Sequence, residues 1–534
     1  MMQSSEVRRQ GAAWLGAVLA MALPVAAFAA DETPRMGGTA IAVLASDPAV
    51  LNPDVSVGVP DIFAGCILHD ALIRFGEGFK IVPSLAKSWE IAPDALTYTF
   101  HLGDASFSDG KPMTSEDVKF TLTEISSKYG AKFSTPGKAI KDIETPDPKT
   151  VVIHLSRPFG PFLFSMACEQ NAAIMPAHIY RGTEILKNPA SLTTPVGVGP
   201  FLLKDWQRGN KMTFTRNPNY WNKGKPYLDE IIIRMMPESS SRILALQAGE
   251  IDYINEYYFP LSSYQMFKND PRFQVEDVSY PGDDLIIFNT RKAPLDKREV
   301  RQALLTALDR AYIHKNVFYD VGGTAVSAID TRLEWAYNPA VNYDKMYAYD
   351  PKRAAKMLDD AGVKPGADGV RFTLRVTYDT ARPEYTAWIQ TIQQNWGAIG
   401  VKVISEGAER PVVLKKVYSD YDFDATLQNY TTAGDPALGV SRIYTTESIL
   451  KGANFNNASG YSNPEVDELF NLGRDAPNQA ERAKHYFKMQ EIIARDLPTI
   501  TAHQQAEIDA TTIKLRDVWK AANYLWWDQI WLKE

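Results

Sequence analysis

Seven histidines and two cysteines are the residues of this chain whose types most often bind metals or act in catalysis. The histidines are scattered, and no H-E-x-x-H sequence places two imidazoles on one face of a helix. The chain also contains no G-x-S-x-G elbow, no Walker phosphate loop and no dinucleotide fingerprint followed by an acid. We therefore predict no catalytic residue, no metal site and no cofactor, and keep a secreted hydrolase only as an alternative.

The two cysteines, Cys66 and Cys168, allow two interpretations. In an oxidising compartment an even number of cysteines favours a disulfide bond. Cysteine also packs well as a small apolar residue, so two buried free thiols are the alternative. The sequence leaves both interpretations open.

The composition is that of an ordinary globular protein, with 534 residues of which 45% are hydrophobic and 23% charged. This length exceeds what one hydrophobic core usually supports, so we expect two or three domains. The net charge is −7, without the basic patches that would favour nucleic acid or an anionic membrane surface. We therefore expect no nucleic-acid partner.

The first 29 residues have the pattern of a secretory signal peptide. Arg8 and Arg9 form a positive region, residues 11–23 form an apolar run, and residues 27–29 (Ala-Phe-Ala) form a small-x-small cleavage site. The apolar run is too short to span a bilayer comfortably, which argues against a membrane anchor. No cysteine precedes Cys66, so no thiol near the cleavage site can carry a lipid. The sequence predicts a periplasmic protein without a lipid anchor and leaves Sec and twin-arginine export open.

The chain is organised around residues 285–310, which predict a buried strand, a polar loop and an amphipathic helix. Asp296 is placed to cap a helix beginning near Lys297. The apolar residues of that helix fall on one face at helical spacing: Val300, Ala303, Leu304, Ala307 and Leu308. Further along, the pattern predicts a strand over 372–376, a helix over 385–399 and a strand over 401–403. Strand, helix and strand in this order form a βαβ unit, so we expect an α/β fold with a partly parallel sheet.

A series of phrases along the chain resembles the family 5 solute-binding proteins of ABC transporters. In order they are PSLAKSW, FSDGKPMTSEDV, GVGPF, NPNYW, YLDEI, LQAGEID, FNTR, VRQAL, YDP, IGVKV and YSNPEVDEL. Each phrase is weak by itself, whereas the ordered set extends from about residue 38 to the C-terminus. The resemblance implies a two-lobed periplasmic binding protein (class II, cluster C-like) with an extra small α+β domain on the first lobe.

The resemblance also implies a division of the chain and a function. Lobe I would comprise residues 30–80, 196–285 and 500–534, the extra domain residues 81–195, and lobe II residues 286–499. Such a protein captures a solute by hinge closure, performs no chemistry and delivers the solute to a membrane permease. We expect a monomer whose partners are a small-molecule or short-peptide ligand and the permease subunits of an ABC transporter.

The same resemblance points to residues that would hold the ligand. Peptide-binding members hold the α-amine with an Asp shortly before a Gly-Asp-Pro-like phrase, which is Gly434-Asp435-Pro436 here. The matching upstream position is Thr432, so the amine clamp is predicted to be absent, unless a gap lets Asp435 serve instead. The arginine that holds a peptide carboxylate corresponds to Arg382, whose planar guanidinium gives a carboxylate two parallel hydrogen bonds. The alternative for Arg382 is a solvated loop residue before a proline.

Further candidates would line an amphipathic pocket between the lobes. Such sites are mostly apolar with a few polar groups, and the candidates are Tyr257, Tyr258, Asn429 and Tyr430, with Val57 and Gly58 added by family position. We predict that the ligand is a peptide or a peptide-like carboxylate, such as an opine-like compound or an N-substituted amino acid. A nickel chelate, haem or an oligosaccharide is the alternative within the same family.

Overall fold

This computed structural model of the protein describes residues 33–76, 79–278, 281–380, 382–518 and 527–533. The predicted signal peptide, residues 1–29, lies outside them. Within these ranges, no helix combines the length and the apolar character needed to cross a membrane.

The strands of the described ranges are, in chain order, β1 (Thr39–Leu44), β2 (Ile73–Phe75), β3 (Ile81–Pro83), β4 (Ala86–Ile91), β5 (Thr97–Leu102), β6 (Ile140–Asp147), β7 (Thr150–Leu155), β8 (Phe201–Gln207), β9 (Lys211–Arg216), β10 (Glu230–Met235), β11 (Tyr253–Ile254), β12 (Phe273–Asp277), β13 (Gly282–Phe288), β14 (Phe372–Asp379), β15 (Val401–Ala408), β16 (Ala425–Thr431), β17 (Thr499–Gln504), β18 (Ile508–Thr512), β19 (Leu515–Arg516) and β20 (Trp531–Leu532).

The α-helices of the same ranges are α1 (Val59–Leu68), α2 (Ser115–Phe120), α3 (Ser127–Tyr129), α4 (Ser134–Ala139), α5 (Ala177–Tyr180), α6 (Pro189–Leu192), α7 (Ser239–Ala248), α8 (Tyr264–Lys268), α9 (Arg298–Thr306), α10 (Arg310–Tyr312), α11 (Tyr343–Met346), α12 (Pro351–Asp360), α13 (Pro383–Gly397), α14 (Arg410–Leu414), α15 (Ser441–Tyr444), α16 (Pro464–Asp475) and α17 (Gln479–Asp496). Short 3-10 and π-helical turns connect several of them, including the π-helical turn Pro436–Val440 before α15.

The first sheet has the strand order β12-β18-β11-β1-β10-β9-β8. Strand β1 pairs in parallel with both β10 and β11, whereas β18 is antiparallel to β11 and β12. Side chains from this sheet, from α1 and from α7 share one buried apolar core. The ends of β1, β10 and β11, together with the start of β18 and the end of β12, therefore lie along one edge, which we call the carboxyl edge of the first sheet.

The second sheet has the order β15-β14-β16-β13-β17. Strands β15 and β16 run parallel to β14, while β13 is antiparallel to β16 and β17. The predicted βαβ unit is present as β14, α13 and β15. Since Gly282 pairs with Thr431 and Asp283 pairs with Gln504, the start of β13 and the end of β17 lie beside the ends of the parallel strands. This is the carboxyl edge of the second sheet.

A third, antiparallel sheet has the order β4-β5-β7-β6 and its own apolar core. In β5 the alternating residues Tyr98, Phe100 and Leu102 face that core, as their period of two predicts. A disulfide joins Cys66 of α1 to Cys168, which follows β7 in the chain.

The organising segment folds almost as its pattern predicts. Its strand begins earlier, at Gly282, and its helix α9 begins at Arg298 with Lys297 rather than Asp296 at the N-cap position. The predicted apolar face is buried at all of its positions: Val300, Ala303, Leu304, Ala307 and Leu308. The amphipathic period therefore identified the core face correctly, although the cap is placed one residue later.

The chain crosses twice between the first and second sheets. It leaves β12 at Asp277 and enters β13 at Gly282, and it returns from Gln504 of β17 to Ile508 of β18. The predicted lobe limits at 285 and 499 differ by a few residues from these changes of sheet, since all of β13 and β17 belong to the second sheet. Both crossovers start and finish at the carboxyl edges of the two sheets.

Candidate functional site

The two carboxyl edges and the crossovers between them define the candidate site. In open α/β sheets, ligands bind in the crevice outside the carboxyl ends of the strands. Val57 and Gly58 follow β1, and Tyr257 and Tyr258 follow β11, so these predicted residues come from the carboxyl edge of the first sheet. The carboxyl edge of the second sheet supplies the others: Arg382, Asn429, Tyr430 and Thr432.

Arg382 stands between β14 and α13, with 27% of its side chain exposed. Its Nη1 donates to the hydroxyl of Tyr385 at 3.2 Å and lies 3.6 Å from Oδ1 of Asp284. The guanidinium carbon is 4.8 Å from the centre of the Tyr385 ring. Burial by itself would lower the pKa of Arg382, but Tyr385 and Asp284 raise it above its usual value. The guanidinium is thus held permanently charged in a fixed place.

Asp284 organises this corner of the site, although it is 1% exposed. Its Oδ1 accepts a hydrogen bond from the Tyr385 hydroxyl at 2.9 Å, and its Oδ2 lies 3.1 Å from Nδ1 of His503. Burial alone would raise the pKa of Asp284, but the charge of Arg382 and the hydrogen bonds from His503 and Tyr385 hold it below its usual range. Sequence reasoning missed these partners; the signal was a pair of aspartates directly before the apolar run of this strand.

Three carboxyl groups lie at the carboxyl edge of the first sheet and beside the second crossover. The Glu256 amide donates to Oδ1 of Asp509 at 2.8 Å, and the Tyr253 hydroxyl donates to the same oxygen at 3.0 Å. Burial, followed by the charges of Asp509 and Glu507, raises the pKa of Glu256 well above its usual range. Burial also raises the pKa of Asp509 and of Glu507 to about 7. Asp509 and Glu507 therefore remain partly protonated near neutral pH.

The predicted loop at Val57 lies beside a polar cluster that sequence reasoning did not identify. Asn171 donates through Nδ2 to the carbonyl oxygen of Ser56 at 2.7 Å, and its Oδ1 accepts from the amide of Lys132 at 3.0 Å. The Lys132 ammonium donates to the carbonyl oxygen of Glu169 at 2.9 Å. Burial lowers the pKa of Lys132, whereas it raises the pKa of Glu169 to about 7. The disulfided Cys168 immediately precedes Glu169.

Tyr430 is a core residue, 4% exposed, rather than an open pocket wall. Its hydroxyl is 2.6 Å from that of Tyr418 and donates to the carbonyl oxygen of Asn456 at 3.2 Å. The guanidinium carbon of Arg442 lies 5.2 Å from the centre of the Tyr430 ring. Asn429, the preceding residue, pairs with Asp284 and so points to the same face of the sheet as Asp284. Asn429 is half-buried.

Thr432 and Asp435 have structural partners of their own. The Thr432 amide donates to the carbonyl oxygen of Pro281, which ties this position to the first crossover. The Asp435 carboxylate accepts two hydrogen bonds from Arg482, at 2.6 and 2.7 Å, and one from the amide of Ala437 at 2.9 Å. Since Asp435 is 5% exposed, its carboxylate is committed to this ion pair.

The remaining predicted residues differ in exposure. Tyr257 is 61% exposed and Val57 is 52% exposed, so both offer apolar surface at the carboxyl edge of the first sheet. Tyr258 is buried and packs edge-on against Tyr257, with ring centres 5.4 Å apart. A Cβ atom on Gly58 would lie 2.7 Å from Oδ2 of Asp61, so a larger residue there would have to displace this carboxylate.

A cavity of about 950 Å³ lies elsewhere, between the third sheet, the first crossover and the second sheet. Its walls include Tyr98, Phe164, Val278, Arg332 and Trp335. Its walls do not include Arg382 or the carboxyl groups at the second crossover, but they do include Asp435. Arg332 of this wall donates to the carbonyl oxygen of Gln505 in the second crossover at 2.9 Å. Within the described ranges, no three His, Cys, Asp or Glu side chains are grouped to hold a metal ion. We place the candidate site at the carboxyl edges, because the charged groups converge there.

Comparison with known proteins finds similarity along most of the chain. The family described as bacterial extracellular solute-binding proteins, family 5 Middle, matches residues 80–450. Heme-binding protein A of Haemophilus influenzae is 28% identical over 464 residues, which cover 81% of this chain and 81% of that protein. Oligopeptide-binding protein AppA of Bacillus subtilis is 26% identical over 480 residues, covering 87% and 86%. The solved structure of AgaA from A. tumefaciens R10 in complex with agropinic acid has a TM-score of 0.75 and 27% identity, covering 93% of this chain and 99% of AgaA.

Proposed function

The chain belongs to the family 5 bacterial extracellular solute-binding proteins, and from this premise we propose that its ligand is a peptide or a peptide-like carboxylate. It is the two-lobed solute-binding component of an ABC importer. The observation that carries the proposed ligand class is the guanidinium of Arg382, held at the carboxyl edge of the second sheet by Asp284 and Tyr385. A fixed guanidinium binds a carboxylate with little loss of conformational freedom.

The amine end of the ligand is proposed to differ from that of an ordinary peptide. Thr432 offers no carboxylate where peptide-binding relatives are expected to have one, and Asp435 is occupied by Arg482. A ligand without a free α-amine, such as an opine-like compound or an N-substituted amino acid, fits this arrangement. The similar protein AgaA was solved with agropinic acid, which supports this direction.

Closure of the two lobes is the proposed mechanism of capture. We propose the two crossovers, from Asp277 to Gly282 and from Gln504 to Ile508, as the hinge and as the limits of the lobes. A ligand that contacts both carboxyl edges binds the closed form more tightly, and so shifts the population toward it. We propose that only this form delivers the ligand to the permease, that the protein acts as a monomer, and that it performs no chemistry.

We also propose that the protein is exported to the periplasm. Residues 1–29 would direct the chain to the periplasm and be removed, and no cysteine lies near the cleavage site to receive a lipid. N-terminal sequencing of the protein secreted from its native host, or from a bacterial expression host, gives a start near residue 30 if this is correct. A start at residue 1 in a membrane fraction contradicts it.

Ligand capture tests the proposed function directly. The mature protein is purified from periplasm, denatured, and its released solutes are identified by mass spectrometry. In parallel, trialanine, its C-terminal amide, N-acetyl-trialanine, an N-(carboxyethyl) amino acid, nickel–histidine and haem are compared by thermal shift. A ligand at 100 times its Kd adds about 2.7 kcal/mol to the free energy of unfolding.

We expect the carboxylates to raise the melting temperature and the C-terminal amide to leave it unchanged. Substitution Arg382→Met is expected to remove the effect, whereas the exposed, unpaired control Lys352→Met is expected to keep it. Stabilisation by haem or nickel–histidine alone would contradict the proposed ligand class. If trialanine and its N-acetyl derivative bind equally well, the result supports recognition of the carboxylate. It also shows that the protein does not recognise the free amine.

A further inference from the structure

Asp283 is a buried carboxyl group whose hydrogen bonds are left unmade by the fold. It is the second residue of β13, at the carboxyl edge of the second sheet, and it is 5% exposed. Within the described ranges, its buried Oδ1 has no hydrogen-bond partner. The next residue, Asp284, is the opposite case, since its carboxylate is held by Tyr385 and Arg382. A buried polar atom without a partner costs free energy of folding, so Asp283 points to a donor from outside the chain.

A small cavity lies against this carboxyl group. Its volume is about 10 Å³, which is room for about one water molecule. Its polar walls are formed by Asp283, Tyr430, Thr431, Thr432, Tyr444 and Thr501. Thr431, the last residue of β16, is half-buried, so the cavity reaches the surface at the carboxyl edge of the second sheet. The cavity is thus placed where a group of a bound solute could enter it.

The hydroxyl groups in the cavity walls have other partners. The Thr501 hydroxyl donates to a main-chain carbonyl oxygen at 2.9 Å. The hydroxyls of Tyr444 and Tyr430 bond to other hydroxyl groups at 2.8 and 2.6 Å. Oγ1 of Thr432 accepts a hydrogen bond from the amide of Gly434 at 3.2 Å. Since these groups are engaged elsewhere, the walls present the cavity mainly with acceptors.

Among the described residues, the charges that act on Asp283 are mostly negative. They are those of Asp330, Arg332 and Asp284. The guanidinium of Arg332 is already paired, at 2.6 Å from Asp330 and 3.3 Å from Asp277. Burial, followed by the charge of Asp330, raises the pKa of Asp283 well above its usual range. The carboxyl group therefore retains its proton until a cation enters the cavity and favours the ionised form.

The position of Asp283 suits contact with a solute that Arg382 also holds. Asp283 and Asp284 are neighbours in β13, so their side chains leave the strand on opposite faces. Nη1 of Arg382 lies 3.6 Å from Oδ1 of Asp284 on one face, and Asp283 lines the cavity on the other. Both faces end at the same carboxyl edge. A solute that lies across this edge can therefore meet a cation at one end and a carboxyl group at the other.

We infer that Asp283 and the cavity beside it form a cation subsite, which receives an ammonium group of the transported solute. The inference rests on the proposed function, in which Arg382 takes the carboxylate, and it adds a positively charged group to the ligand class. An ammonium group is about as large as a water molecule and donates three hydrogen bonds, so it suits a cavity walled by Asp283 and Oγ1 of Thr432. Its hydrogen bond to the ionised carboxylate is charge-assisted, and the proton of Asp283 passes to the solvent.

The ammonium group is assigned to the side chain of the solute. The proposed ligand is an N-substituted amino acid, which has no free α-amine to offer. A basic side chain, like that of lysine, ends in an ammonium on a narrow apolar stem and can enter a cavity that has room for only one small group. The solute is therefore expected to be a carboxylate with a basic side chain.

The first experiment compares two probes that differ only in the ammonium group. N-acetyl-lysine and N-acetyl-norleucine carry the same carboxylate and the same four-carbon side chain. Isothermal titration calorimetry of the mature protein, freed of carried-over solute, measures the Kd of both. We expect the wild type to bind N-acetyl-lysine about tenfold more tightly, and Asp283→Asn to lose this preference. Asp368→Asn, which changes an exposed loop carboxylate, is the matched control and is expected to keep it.

Two further measurements separate a binding role of Asp283 from a structural one. Titration in buffers of different ionisation enthalpy is expected to show a proton released when N-acetyl-lysine binds the wild type, and none for Asp283→Asn. Without a ligand, Asp283→Asn is expected to melt no earlier than the wild type, because this carboxyl group holds no partner at Oδ1. Should Asp283→Asn fail to fold, Thr432→Val removes one acceptor of the cavity and is expected to weaken the preference for N-acetyl-lysine.

Equal affinity of the wild type for the two probes overturns the inference, and so does a preference that Asp283→Asn retains. If N-acetyl-norleucine still binds and Arg382→Met abolishes that binding, the subsite is wrong while the proposed function stands. If neither probe binds, the inference and the proposed ligand class fail together. If trialanine binds more tightly than N-acetyl-trialanine and Asp283→Asn removes the difference, the ammonium is an α-amine. The cation subsite is then correct, and the N-substituted ligand class is wrong.

Discussion

Nδ1 of His503 lies 3.1 Å from Oδ2 of Asp284, while Nε2 of the same ring lies 2.7 Å from the carbonyl oxygen of Val321. The ring therefore bridges the Asp284 carboxylate and the carbonyl oxygen of Val321. The imidazole also stacks on Phe318, with centres 3.7 Å apart and planes 4° from parallel. Asp284 is therefore a buried carboxylate between the His503 ring and the Arg382 cation, and it links both crossover strands to the loop that carries Arg382.

Replacing Asp284 by asparagine is expected to destabilise the protein by about 3–5 kcal/mol, because the change removes the buried counter-charge of Arg382. Urea denaturation at pH 7 measures the effect. Asp359→Asn removes an exposed carboxylate that pairs with Arg371, and as the control it is expected to cost far less. If Asp284→Asn lowers the free energy of unfolding no more than the control does, Asp284 does not hold the site together.

The lowered pKa of Asp284 also predicts how the free energy of unfolding changes in acid. Its pKa is lowered in the folded protein, so the folded state binds fewer protons than the unfolded state when the pH falls below about 4. The stabilisation is complete above the unfolded pKa and is lost as the pH falls through the folded pKa. The free energy of unfolding of the wild type should therefore fall more steeply below pH 4 than that of Asp284→Asn, which lacks this titration. Parallel slopes for the two proteins would contradict the assignment.

A buried ion pair, rather than a ligand contact, is the role predicted for Asp435. Asp435→Asn should lower the free energy of unfolding by about 3–5 kcal/mol, since Arg482 is left charged and buried. The double variant Asp435→Asn with Arg482→Met should recover part of this loss, because no unpaired charge remains. If Asp435→Asn unfolds like the wild type but binds the identified solute weakly, Asp435 is a ligand residue after all.

The sequence predicted the architecture well because the architecture follows from short-range patterns. The βαβ unit of β14, α13 and β15 and the apolar face of α9 both depend on periodicity alone. Strand β13 was predicted too short, since Gly282, Asp283 and Asp284 do not resemble strand residues. They pair within the sheet because tertiary contacts outweigh the local preference.

The site was less predictable because its contacts join distant positions. Asp284 and His503 are 219 residues apart, and Asp284 and Tyr385 are 101 apart, so no local pattern links them. Asp435 matched a ligand candidate by family position, but its partner Arg482 comes from α17. The family phrases pointed to positions that lie at the two carboxyl edges, whereas the partners of each charge became visible only in the fold.

The raised pKa values of the carboxyl groups at the second crossover predict that the protein loses stability as the pH rises from acid to neutral. Burial raises the pKa of Glu507 and of Asp509 to about 7, so between about pH 4 and 7 the folded state binds more protons than the unfolded state. By linkage, the free energy of unfolding then falls as the pH rises through this range. Glu507→Gln and Asp509→Asn should each flatten that fall, measured by urea denaturation at pH 4.5 and 7.5. Asp368→Asn, an exposed loop control, should keep the slope of the wild type.

Two independent features favour glycine at position 434, and substitutions can separate their effects. Its φ of +77° favours glycine, and a Cβ atom there would lie 2.0 Å from Cζ of Phe164. Gly452 has a similar φ of +86° with no atom within 4 Å of a built Cβ, so Gly452→Ala carries the backbone strain alone, about 1–2 kcal/mol.

Gly434→Ala introduces the same backbone strain and must also displace Phe164. At this glycine, Phe164 contacts the side of the cleft that belongs to the second sheet. We therefore expect Gly434→Ala to be more destabilising than Gly452→Ala in thermal and urea denaturation, and to increase the radius of gyration of the solute-bound protein. Adding Phe164→Ala should relieve the clash, so the double variant should lose less stability than the sum of the two single variants. Additive losses would show that Phe164 moves aside freely, and that its contact with Gly434 does not control the closed arrangement of the lobes.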